Sequence, residues 1–159
     1  MSERQLRKKY SFSAHGKRLV LIKRPYESEA HVLCKAAAFA LYLPGYPRLL
    51  VEVKVGQRYK PDLVQLDRRG MPEFWGECGS VGKSKVEDLL RKFRGTKFAF
   101  LKCGGRNDQF VELVRNALEG LNRSAPVDMI FLPELREHVG TAGNVDISFE
   151  DCDMIRLNG

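Results

Sequence analysis

From residue 72 to residue 133 the chain alternates short apolar runs with longer amphipathic ones, and that alternation restricts the fold more than any other feature. "PEFWGEC" (72–78), "KFAFLKC" (97–103) and "VDMIFLP" (127–133) have the length and the branched or aromatic content of buried strands. Between them, "KSKVEDLLRKFRG" (83–95) sets Val86, Leu89, Leu90 and Phe93 at helical spacing, and Gly95 reads as its left-handed cap. "NDQFVELVRNALEGL" (107–121) turns Phe110, Leu113, Val114 and Leu118 to one face, with Asn107 or Asp108 as the cap. A strand that returns to its sheet through a helix pairs parallel to its predecessor. Part of the sheet is therefore expected to be parallel, with helices against it.

The flanking segments complete the pattern. "KRLVLIK" (17–23) alternates as a strand does. In "RPYESEAHVLCKAAAFALYLPGYP" (24–47), Pro25, Glu27, Ser28 and Glu29 supply helix-start chemistry, and Pro44, Gly45 and Pro47 stop the helix. "RLLVEVKV" (48–55) and "DLVQLD" (62–67) read as strands, the second joined to 72–78 by the tight connection "DRRGMP". "VDISFEDCDMIRLN" (145–158) reads as a closing hairpin turning at Glu150 and Asp151. The expected fold is α/β: a mixed β-sheet flanked by helices, in one domain spanning residues 1–159.

Charge narrows the partners. Twenty-seven Lys and Arg against 20 Asp and Glu give a formal net charge of +7, which favours a polyanion such as DNA or RNA. The excess gathers in "RQLRKKY", "DRRG" and "RKFRGTK", any of which also serves as a solvated face or meets a protein partner. Cys34, Cys78, Cys103 and Cys152 form neither a C-x-x-C pair nor a zinc pattern with His15, His31 and His138, and a reduced, cytoplasmic, bacterial-type protein is expected. The charged start resembles no signal peptide, and no run approaches the roughly twenty apolar residues of a membrane span.

Two acids stand at the ends of neighbouring expected strands: Asp62 after Pro61, and Glu77 closing an apolar run. Paired strands hold their backbones about 5 Å apart, so such a pair can share one hard cation. With "PDLV" and "FWGECG" in this order, the chain resembles the PD-(D/E)XK nuclease superfamily, and within it the YaeQ family. "RPYESEAHVLCKAAAFAL" and the tail "VDISFEDCDMIRL" add to the likeness. The resemblance implies a restriction-endonuclease-like sheet and a Mg2+- or Mn2+-dependent nuclease acting on DNA or RNA. In that reading Asp62, Glu77, the Cys78 carbonyl and the accessory acid Glu27 hold the metal. The chain departs from the pattern in having Val64 for a tryptophan, Ser80 for a glutamine, and Gly79 where the superfamily lysine would fall. A lysine from the next helix, Lys85 or Lys83, is then expected near the attacking water.

Several other signals have plainer readings. "VEVK" satisfies Glu-x-Lys with Glu52 and Lys54, yet it precedes the Pro-Asp, and strand alternation makes the two an exposed charge row. "GSVGKS" (79–84) is too short between its glycines for a phosphate cradle, though a helix N-terminus there can take one phosphate. Cys78, Phe74, Trp75 and Phe93 read as core. Because the lysine is displaced, a catalytically inactive nucleic-acid-binding or adaptor protein on the same fold is the alternative.

Overall fold

Nine consecutive residues of the first helix, Cys34 to Tyr42, are all buried, and the architecture follows from finding cover for every side of that helix. A helix apolar around its whole circumference needs structure on more than one face. The structure, a computed structural model, describes residues 8–158, so the first part of the basic "RQLRKKY" cluster lies outside the described residues. A separate antiparallel hairpin, β1 (Lys8–Ala14) and β2 (Lys17–Lys23), packs Phe12 and Leu21 against α1 (Glu29–Tyr42) from one side. The main sheet covers the other.

That sheet has the order β3-β4-β5-β6-β7-β8, from β3 (Leu50–Val51) and β4 (Leu63–Leu66) through β5 (Pro72–Cys78), β6 (Lys97–Cys103) and β7 (Val127–Leu132) to β8 (Asp153–Leu157). The β5, β6 and β7 strands are parallel, and the remaining pairs are antiparallel. The two crossovers, α2 (Lys83–Lys92) and α3 (Asp108–Leu118), lie together on the face opposite α1. Alternation along β6 sorts the two cores. Phe98 and Phe100 meet the α2–α3 layer, while Ala99 and Leu101 meet α1, whose Ala36, Ala37, Ala38 and Ala40 let helix and sheet approach closely. Phe74 joins the α1 core; Trp75 and Phe93 join the other.

Three local expectations are corrected. The segment 48–55 pairs with β4 only at Leu50 and Val51, because Glu52 takes a left-handed backbone conformation (φ 59°) and turns the chain away. The closing segment is no hairpin. β8 pairs along the open edge of β7, from Val127↔Leu157 to Phe131↔Asp153, while Val145 and Ile147 bury themselves in the α1 core. Alternation shows that a run is extended but does not name its partner.

The end of α2 is the third. Gly95 is not left-handed, and Phe93 is the C-cap. The carbonyls of Leu90 and Phe93 accept from Arg123 Nη1 at 2.6 and 2.7 Å, and that of Thr96 accepts from Nη2 at 2.6 Å. A buried guanidinium thus takes the place of the glycine cap. For α3, Asn107 is the cap, its Oδ1 accepting from Phe110 N–H at 3.1 Å. Replacing Arg123 by alanine takes a donor from three carbonyls, of which that of Phe93 keeps the Thr96 N–H at 3.2 Å, and is predicted to cost about 2 kcal/mol in urea unfolding. A loss below about 0.5 kcal/mol would show that water caps α2 equally well.

Candidate active site at the C-terminal end of β5

Lys35 is the one charged residue in the buried stretch of α1, 1% exposed, and a buried ammonium requires partners. It finds two. Its Nζ lies 2.5 Å from Glu27 Oε2 and also bonds Glu52. Burial by itself would lower the Lys35 pKa, but its bonds to Glu27 and Glu52 outweigh that and raise it. The left-handed turn at Glu52 is what brings that carboxylate to α1, and Glu52 N–H donates to the Asp62 carbonyl at 2.9 Å. Glu52 and Lys54 therefore do not form the expected charge row.

Helix geometry supplies the next member. Ser28 caps α1, its Oγ accepting from His31 N–H at 3.1 Å, and places Glu27, His31 and Lys35 at successive steps of four. His31 Nδ1 lies 2.6 Å from Glu27 Oε2, and Nε2 lies 3.7 Å from Asp62 Oδ2. The Asp62 carboxylate beside the ring raises the His31 pKa against the opposing effect of burial. Burial pushes Glu27 up, but hydrogen bonds and charge from Lys35 and His31 hold its carboxyl below the ordinary value.

Asp62 sits just before β4, where its backbone N–H donates to the Gly76 carbonyl and its Oδ2 accepts from Cys78 N–H at 2.8 Å. Glu77 leaves β5 on the opposite face, toward α2. It is 4% exposed, accepts from Trp75 Nε1 at 2.8 Å, and Lys85 Nζ lies 3.1 Å from both its oxygens. Burial raises the Glu77 pKa, and the Trp75 and Lys85 contacts oppose the rise. The two acids thus stand on either side of the end of β5. Asp62 belongs to an α1 half with Glu27, His31, Lys35 and Glu52, and Glu77 to an α2 half with Lys85.

Between the expected lysines, geometry separates two roles. Lys85 reaches Glu77, whereas Lys83 is 76% exposed and lies 3.8 Å from Glu87, away from the acids. Glu29 also points elsewhere, its Oε2 accepting from the Tyr10 hydroxyl. At Gly79 the backbone is left-handed (φ 83°), and a Cβ built there would lie 3.6 Å from His31 Cδ2. The His31 ring therefore borders the space that a side chain at position 79 would enter. Neither His31 nor Lys35 stands out in the sequence as a site residue, though their steps of four from Glu27 were the available signal.

Among the described residues, no three His, Cys, Asp or Glu side chains gather as a closed metal cage. Both oxygens of Glu77 and one of Asp62 already meet protein donors. The hard oxygen donors that remain suit magnesium in its water-rich mode, which takes one or two carboxylates and keeps several waters. A dehydrated, all-protein calcium or zinc site does not match this set.

No protein-family model matches the chain, and no curated protein matches it. Solved structures do. The crystal structure of the YaeQ protein from Pseudomonas syringae superposes with a TM-score of 0.64 over 96% of each chain, at 13% identity. That of the YaeQ protein from Xanthomonas axonopodis pv. citri gives a TM-score of 0.58 at 19% identity, covering 96% of this chain and 93% of the other. The chain shares the fold of these YaeQ proteins. No described helix is long and apolar enough to cross a membrane.

A histidine that holds its proton more tightly in the fold than in the unfolded chain contributes stability at pH values below its unfolded pKa. That contribution is lost as pH rises through the raised folded value. In metal-free buffer, wild type is therefore predicted to exceed His31→Asn in stability at about pH 6 by more than it does at about pH 9. Urea unfolding at the two values checks this, and a gap that stays constant or widens with pH contradicts it.

Proposed function

We propose that the chain is a divalent-metal-dependent nuclease of the PD-(D/E)XK type, on a restriction-endonuclease-like fold, hydrolysing phosphodiester bonds of DNA or RNA. The observation that carries this reading is the placement of Asp62 and of the Glu77–Lys85 pair on either side of one end of β5, with His31 beside Gly79. The positive net charge suits a polyanionic substrate.

Asp62, Glu77, the Cys78 carbonyl and, through water, Glu27 are the groups that would hold Mg2+ or Mn2+. When bound, such an ion polarises a phosphoryl oxygen and acidifies its water. The chain's own residues do the positioning. Cys78 N–H orients Asp62, and Lys85 keeps a cation against the buried Glu77. His31, fixed by Glu27, takes over the work of the displaced lysine: it orients the attacking water and holds a proton at Nε2. Lys83, exposed at the start of α2, meets substrate phosphate as a point charge.

The protein donors already on both acids favour a second reading, a nuclease-fold nucleic-acid-binding or adaptor protein without chemistry. Cleavage of labelled single-stranded and duplex DNA and RNA, with Mn2+ or Mg2+ and with chelator, separates the two. Metal-dependent cutting is predicted, falling about 100-fold or more in Asp62→Ala, Glu77→Ala and His31→Ala. Lys83→Ala is predicted to weaken substrate binding with little change in the rate at saturation. Binding without cutting by folded wild type would establish the adaptor reading instead, and cutting that survives Asp62→Ala would overturn the site assigned here.

A further inference from the structure

At the other end of the main sheet, about 15–20 Å from Glu77 along β5, the starts of β5 and β6 and the end of α1 wall a cleft of about 1180 Å³. Nothing in the chemistry proposed above uses it. Behind its lining stands Asp128, fully buried on β7, whose partners Tyr42, Lys97 and Arg156 line the cleft. Lys97 Nζ lies 2.7 Å from Oδ1, Arg156 Nε and Nη2 donate at 2.8 and 3.3 Å, and the Tyr42 hydroxyl donates to Oδ2 at 2.7 Å. One carboxylate thus faces two cations, and the cluster is left with a positive excess.

Two acids line the cleft, and both have partners of their own. Glu73 accepts from Gln65 Nε2 at 2.8 Å and lies 3.7 Å from Arg48 Nη2. Asp67 Oδ1 accepts from the backbone N–H groups of Arg69 and Met71 within its own turn. Lys92 and Arg94 add further positive charge to the lining. The Arg156 side chain is 52% exposed, so its guanidinium faces the cleft as well as Asp128. The lining is aromatic at Tyr42, Tyr46 and Phe149: Tyr42 meets Phe149 edge-on with ring centroids 5.2 Å apart, the buried Phe74 backs Tyr42 and Tyr46 at 4.6 and 4.7 Å, and Phe149 is 37% exposed.

We propose that this cleft binds a small organic anion carrying a flat ring, the chemistry shared by a nucleoside monophosphate and an aromatic carboxylic acid. The anionic group meets Arg156 and Lys97, and the ring lies against Tyr46 and Phe149. Lys97, with a side chain 10% exposed, is the cation that the buried Asp128 compensates, because a desolvated charge needs a partner. The second cation, in the wall of an apolar-lined cleft of this size, is the kind of convergent polar group that orients a small ligand.

The test is calorimetry and ¹H–¹⁵N spectroscopy in metal-free buffer with adenosine monophosphate, adenosine, para-hydroxybenzoate and inorganic phosphate as probes. Saturable binding of at least one ringed anion is expected, with shifts centred on Tyr46, Lys97, Phe149 and Arg156. Affinity should fall about tenfold or more in Arg156→Gln and in Tyr46→Leu, the latter leaving every partner of Asp128 in place. Preference for the monophosphate assigns the phosphate group, and preference for the benzoate assigns the carboxylate. Equal binding of adenosine, binding of neither ringed anion, or affinity unchanged in Tyr46→Leu would each overturn the proposal. Because metal is absent and the cleft is remote from Asp62, these outcomes are independent of the nuclease reading.

Discussion

The buried ammonium of Lys35 is the interaction on which the candidate site depends. An apolar side chain at that position would leave α1 indifferent to what surrounds its first turns. A lysine there demands carboxylates, and Glu27 and Glu52 answer from two separate segments. Reaching it forces Glu52 into a left-handed conformation, ends β3 after two residues, and directs the Glu52 N–H to the Asp62 carbonyl. Breaking such a pair leaves an uncompensated buried charge, which typically costs about 3–5 kcal/mol. One ion cluster therefore couples the helix start, the bend before β4 and the placement of Asp62 and His31.

The sheet distributes chemistry by strand alternation and by end. At the C-terminal end of β5, Cys78 faces α1 and Glu77 faces α2, so the acids of the expected motif lie on two sides of one strand, with the Cys78 N–H holding Asp62. The absent side chain at Gly79 leaves room that the His31 ring borders. At the N-terminal ends of β6 and β7, the same alternation turns Lys97 and Asp128 toward α1, where Tyr42 and Arg156 complete a cluster of a different kind. Each end is positioned by the same α1 helix, through its first turns at one end and Tyr42 at the other.

Much of this was legible in the sequence, for physical reasons. Between residues 72 and 132, strands buried on both faces and amphipathic crossover helices give strong, distinct periodicities, and the parallel core of the sheet followed from their order. Asp62 and Glu77 were named because a motif marks them, and Lys85 because Gly79 displaces the motif lysine to the following helix. His31 and Lys35 were not. An alanine-rich run reads as helix whatever its charged residue does, and the burial of Lys35 is set by β1, β2 and the Glu52 bend, which lie elsewhere in the chain. The strand β1 was hidden in a basic stretch, and the partner of β8 was misread because extended runs carry no address.

The most direct test of the account is where a metal ion sits. Substoichiometric Mn2+ added to the ¹⁵N-labelled protein broadens amide signals close to the ion. The account predicts broadening concentrated at residues 27–31, 60–63 and 77–79, and its loss in Asp62→Ala. Broadening scattered over exposed acids such as Glu112 and Glu150, or an unchanged pattern in Asp62→Ala, would contradict it.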